Sequence, residues 1–215
     1  MPHYFYVLDH LRFHERIHPA LSASWKARSF AACQPLCADL LPAAAEFRRK
    51  FHLGAADLIL PQIAQGLAFD RHLWRLLVGE VLLVAATEIP ELETAPETLC
   101  CLLAPALFGQ HVTDRRRFAP IQHVHFGARD LVFDAAIYRP ENVGWNDEND
   151  VNRLADYLSS LEPAQWRPKD LRPIAELDEA GREEELADAR AWFPGLVNLY
   201  QRARTDREII VTEVI

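Results

Sequence analysis

Apolar positions along this chain change their period several times, and each change marks a predicted element. Residues 2–8 alternate aromatic and aliphatic side chains and predict an opening strand. Asp9 is a suitable N-cap for a short helix behind it, which Pro19 is expected to end. From Ser24 to about His52 the period is helical, punctuated by Pro35 and Pro42, with Gly54 just past the end as a C-cap. Pro42 is expected to divide that stretch into two helices.

The densest apolar segment covers residues 67–86, and Asp70 is placed to cap a helix running through Ala86. Its polar positions, His72, Arg75 and Gly79, form a narrow stripe, so most of its circumference is expected to be buried. Thr94-Ala95-Pro96-Glu97 supplies a capping box for a helix through Cys100 and Leu103 that stops before Pro105.

After Pro120 the period shifts from helical to alternating. Residues 121–126 and 131–138 predict two strands of a hairpin joined by Gly127-Ala128-Arg129-Asp130. Residues 140–150 form an acidic, asparagine-rich loop, with Asp147 or Asn149 capping the next helix. Val151, Leu154, Ala155, Leu158 and Leu161 then follow at clean helical spacing. Residues 162–181, rich in proline and charge, predict a surface connector. A final helix covers about residues 183–204, with Pro194 set to kink or split it, and residues 208–215 predict a closing strand. These elements make an α+β fold: a mostly helical single domain over residues 1–215 with a small antiparallel sheet to which both termini contribute strands.

The 215 residues are half apolar and a quarter charged, which excludes disordered and collagen-like classes. A formal charge of −8 argues against nucleic-acid binding by phosphate neutralisation and fits a soluble cytoplasmic protein. No secretory leader is visible, and the run 73–86 is interrupted by Arg75 and Glu80 and too short to span a membrane. Cys33, Cys37, Cys100 and Cys101 do not have the spacing of a disulfide framework or zinc knuckles, and read as reduced core thiols.

Three segments together resemble the YfbM-like family of small bacterial proteins. They are Asp70-Arg71-His72-Leu73-Trp74-Arg75-Leu76-Leu77-Val78-Gly79, then Tyr138-Arg139-Pro140-Glu141-Asn142-Val143 leading into the 151–161 helix, and the aromatic helix from Trp192-Phe193 through Tyr200 and Ala203. The resemblance implies an α+β fold in a family with no assigned activity, and it carries over no catalytic residue.

The sharpest local candidate for chemistry is the predicted hairpin. His123 and His125, two apart on a strand, share a face, and a four-residue loop sets His123 across from Asp134. Two imidazoles and a carboxylate are the ligand set of a divalent metal such as zinc, or of a carboxylate-oriented histidine base; the alternative is a solvated sheet face. His10, His14 and His18 fall at helical spacing, but Pro19 is expected to take His18 off the helix and leave a pair without a third ligand nearby in sequence. Arg115-Arg116-Arg117 is a basic cluster read as a solvated connector.

Trp145, in a glycine-flanked polar loop, either tucks back into the core or stands out as an anchor for a protein partner. Arg75 and Glu80 are candidate polar groups in the apolar wall of a ligand pocket, or reach solvent and core partners. No GxSxG elbow, P-loop, dinucleotide fingerprint, HExxH or CxxC pair is present. The leading expectation is a non-catalytic interaction or regulatory module without a cofactor, carrying a large exposed apolar patch for its partner. The alternative is a metal-binding protein or metal-dependent hydrolase using His123, His125 and Asp134. Substrate, partner and oligomeric state are not encoded in any recognisable motif.

Overall fold

A computed structural model describes residues 3–54, 57–90, 92, 95–110, 114–129 and 142–214. Strand β1 (His3–Asp9) opens the chain and is followed by α1 (His10–Arg12), a π-helical turn at Phe13–Ile17, and α2 (His18–Ala27). Helices α3 (Gln34–Lys50), α4 (Leu60–Ala64) and α5 (Arg71–Ala85) lead to the short strand β2 (Thr87–Glu88). Then come α6 (Pro96–Leu103), α7 (Pro120–Phe126), β3 (Asn142–Asn146), α8 (Glu148–Ser160), α9 (Glu179–Asp206) and β4 (Glu208–Val214).

The four strands pair antiparallel in the order β2-β1-β4-β3. The chain ends meet in the middle of the sheet, where β1 and β4 pair along their length from His3↔Val214 to Asp9↔Glu208. Both faces of β1 are buried, because helices cover the sheet on each side. Tyr6 and Leu8 join Ile209, Val211, Val143 and Trp145 in a core with α2, α3 and α5. Phe5, Val7 and Ile210 point the other way, toward α6 to α9. A sheet covered on both faces needs continuous apolar runs, and Phe5-Tyr6-Val7-Leu8 and Ile209-Ile210-Val211 supply them. Among the described residues, no helix is long and apolar enough to cross a membrane.

Asp9 and Asp70 cap α1 and α5 as expected, and of the two candidates Asp147 and Asn149 it is Asp147 that caps α8, each accepting backbone N–H bonds with its carboxylate. Thr94, the expected cap of α6, lies outside the described residues. Prolines broke fewer helices than their positions suggested. Pro42 lies inside an unbroken α3 and Pro194 inside an unbroken α9. Both face solvent, so the lost backbone bond falls on the wet side while the buried stripes keep their contacts. Pro19 does not end the first helix either. The π-helical turn passes the chain without a break into α2, whose second residue is Pro19.

Two expectations are overturned. Residues 121–126 form helix α7 with Pro120 in its first turn, rather than a strand. The alternation of Ile121, Val124 and the histidines also satisfies an i, i+3 pattern, and packing beneath α6 and α8 selects it. Residues 142–146, read as loop, form β3 by pairing with β4, an edge position where partner geometry outweighs the low strand propensity of asparagine and glycine. The second half of the expected hairpin lies outside the described residues. The 162–181 connector is not purely superficial, since Trp166, Leu171 and Ile174 are buried in it.

Candidate functional site

Among the described residues, histidines cluster at each end of β1. At its start, His3 enters the wall of a cavity of about 340 Å³ between α6, the turn at residues 105–110 and α7. Glu97 and Cys100 of α6, Phe108, and Gln122 and Phe126 of α7 complete the wall. The volume lies at the lower end of small-ligand sites, and the mixture of aromatic walls with a few polar groups is what such sites use.

Behind His3 lies His125, only 1 % exposed. The rings meet edge to face with centroids 5.7 Å apart, and Phe5 and Phe126 close the stack. His3 is held to the His125 backbone by a hydrogen bond, yet its buried Nδ1 has no partner among the described residues. Neither ring nitrogen of His125 has one. Burial and the positive N-terminus lower His3 to about 4, while burial and the His3 ring hold His125 well below its usual range. Both rings are therefore neutral near neutral pH. Burial, then Glu97, pushes the Cys100 thiol up, so it is a protonated wall group rather than a nucleophile.

The neutral pair has a consequence for acid stability. An unfolded histidine takes up a proton below about pH 6.5, whereas His3 resists protonation until about 4 and burial holds His125 well below its usual range. The unfolded chain binds more protons in that window, so the fold loses stability as pH falls through it. Urea denaturation of His125→Leu should show a shallower fall between about pH 6.5 and 4 than wild type. Identical slopes in the two proteins would refute the buried neutral pair.

The remaining sequence candidates do not assemble around this cavity. On a helix, His123 and His125 point about 200° apart rather than sharing a face. His123 is half-buried and its Nδ1 lies 3.2 Å from the Arg153 guanidinium, while His125 faces the sheet. Asp134 lies outside the described residues. Among the described residues no group of three or more His, Cys, Asp or Glu side chains is already arranged to hold a metal ion.

Trp145 is buried at 4 % exposure, against Phe13 at 4.6 Å between centroids, so it is a core residue rather than an outstretched anchor. Arg75 is exposed, whereas Glu80 is buried and accepts the backbone N–H groups of Ile59 and Leu60. The two do not share a pocket wall. Glu80 instead caps the short helix α4 from a distance in sequence. Asp114 grips Arg116, which fits the solvated reading of the basic cluster. The cysteines are free, and all but Cys100 are buried.

The cavity residues His3, Glu97, Cys100, Phe108, Gln122 and Phe126 were not singled out as a group by sequence. They are scattered over more than a hundred positions and share no spacing, so the fold alone gathers them. A docking face of the kind expected for a protein partner is not evident among the described residues, where the exposed large apolar side chains are Leu11 and Leu41. In comparisons with protein-family models, characterised proteins and solved structures, the chain matches none.

Proposed function

We propose that this protein is a non-catalytic regulatory module that senses a small organic ligand in the cavity between His3, α6 and α7. The carrying observation is a ligand-sized cavity with His3 in its wall and His125 behind it, where His3 Nδ1 and both His125 ring nitrogens have no partner among the described residues. Buried polar atoms without partners are costly, and a ligand or water that hydrogen-bonds them recovers that cost. The thiol is held protonated and the imidazoles neutral, which supports binding over nucleophilic attack.

The wall chemistry narrows the ligand class. Phe108 and Phe126 offer aromatic surfaces, and the charged group on the wall is the carboxylate of Glu97. A flat apolar body bearing an amine or hydroxyl is favoured, and a carboxylate is repelled.

The test uses three matched probes: 2-phenylethylamine, 2-phenylethanol and phenylacetate. In amide NMR spectra, the amine and the alcohol should shift His3, Gln122 and Phe126, with the amine binding tighter and phenylacetate silent. Cys100→Phe, which fills the cavity, should abolish the shifts while thermal unfolding confirms that the variant is folded. Silence of all three probes, or undiminished binding by folded Cys100→Phe, would sink the proposal.

A further inference from the structure

At the far end of β1 the chain turns into the first helix, and the π-helical turn keeps His10, His14 and His18 on one continuous helical path. The rings of His10 and His14 lie 4.5 Å apart between centroids, and those of His14 and His18 6.4 Å. The third group missing from the sequence around this pair arrives from a distant element. Glu148, the first residue of α8, places Oε2 3.5 Å from His10 Nε2.

That separation is long for a hydrogen bond between an imidazole and a carboxylate. It is close to the distance, about 3.4 Å, between two donors that each sit about 2.1 Å from one tetrahedral ion. Two imidazoles on such an ion would have centroids about 5 Å apart, near the spacing of the His10 and His14 rings. We propose that His10, His14 and Glu148 form a binding site for a divalent transition metal of zinc type, with the coordination completed by water.

Two donors, His10 Nε2 and Glu148 Oε2, lie 3.5 Å apart, and the exposed His14 ring completes the set by rotation of its side chain. Surrounding contacts fit a supported site. Arg207 Nε donates to Glu148 Oε1 at 3.2 Å, which turns the other oxygen toward His10. Arg207 itself is fixed as the left-handed C-cap of α9, and its carbonyl accepts the His10 backbone N–H. Buried Nδ1 of His10 has no hydrogen-bond partner among the described residues. The positive charge of nearby Arg129 is held by Asp147 and Asp150, at 2.8 and 2.6 Å. π-Helical turns recur at functional sites, and this one contains His14.

The site is independent of the ligand cavity, which lies at the opposite end of β1. Its test is titration of tag-free protein with zinc chloride, and with cobalt chloride to read the visible absorption of a tetrahedral ion. Wild type should take one tight equivalent of zinc and give the tetrahedral cobalt spectrum. His14→Ala, at an exposed position, should lose both, with its unfolding midpoint unchanged in metal-free buffer. Arg207→Ala, which removes only the orienting contact, should weaken zinc about tenfold or more. His18→Ala should bind as wild type does. Absence of a tight equivalent in wild type overturns the site, and so does undiminished binding by His14→Ala.

Discussion

Gly127→Ala is expected to destabilise the protein by about 3–5 kcal/mol. Gly127 ends α7 at φ 76° and ψ 145°, a conformation that side-chain-bearing residues rarely adopt. Its backbone presses against β3, so that a Cβ would lie 2.3 Å from the Trp145 backbone nitrogen and 2.7 Å from the Gly144 carbonyl carbon. Both obstacles are main chain and cannot rotate away. Accommodation requires separating α7 from β3, which also strains the buried Asn146 and Tyr200 network that ties them. Asn146 donates to the His123 carbonyl and to Tyr200 Oη, and Tyr200 donates to the Val124 carbonyl.

Gly109 provides the control. It also has positive φ, at 70°, but nothing stands within 4 Å of its would-be Cβ. Gly109→Ala should therefore cost only the conformational penalty, about 1–2 kcal/mol. Chemical denaturation of both variants measures the difference. Equal losses would mean that conformational strain alone, not the close approach to β3, sets the cost at Gly127.

Glu80→Ala is expected to cost about 3–4 kcal/mol, because Glu80 is buried in the apolar stripe of α5 and holds two backbone donors there. Its side-chain oxygens accept from Ile59 N at 2.9 Å and Leu60 N at 2.8 Å, all in the interior. Removing them leaves two buried donors unpaired, each worth about 1–3 kcal/mol, and opens a void between α4 and α5. Glu80→Gln keeps the shape and one carbonyl oxygen, so it should lose about half as much. Hydrogen exchange reports the mechanism directly: the Ile59 and Leu60 amides should lose protection in Glu80→Ala far more than those of α5. If protection at these amides is unchanged, the cross-chain cap is not what holds Glu80 in place.

Glu80 also illustrates where sequence reading stops. Its apolar surroundings in 73–86 marked it as unusual, and the alternatives of a pocket wall or a core partner were both open. Only the return of residues 59 and 60 beside α5 decided between them. The same limit applies to His123 and His125. A short segment with apolar residues at 121, 124 and 126 satisfies strand and helix patterns equally, and the neighbours that break the tie are remote in sequence. For His10 and His14 the pair was legible from spacing, whereas Glu148 lies 138 positions beyond His10 and could not be placed beside it.

What the sequence determined by itself is the local grammar. Asp9, Asp70 and Asp147 start helices because a side chain can satisfy orphan N–H groups within its own turn. The strands at both termini were legible as short apolar runs of β-branched and aromatic residues, and the amphipathic α8 from the period that its one buried face imposes. Tertiary structure decided everything that depends on distant neighbours. It kept α3 and α9 whole across their prolines by packing the opposite face, and it recruited the polar 142–146 segment as an edge strand. It gathered the cavity and the second cluster at opposite ends of β1. Such contacts carry no local signature, since their energy arises only when separate segments are brought together and water is excluded between them.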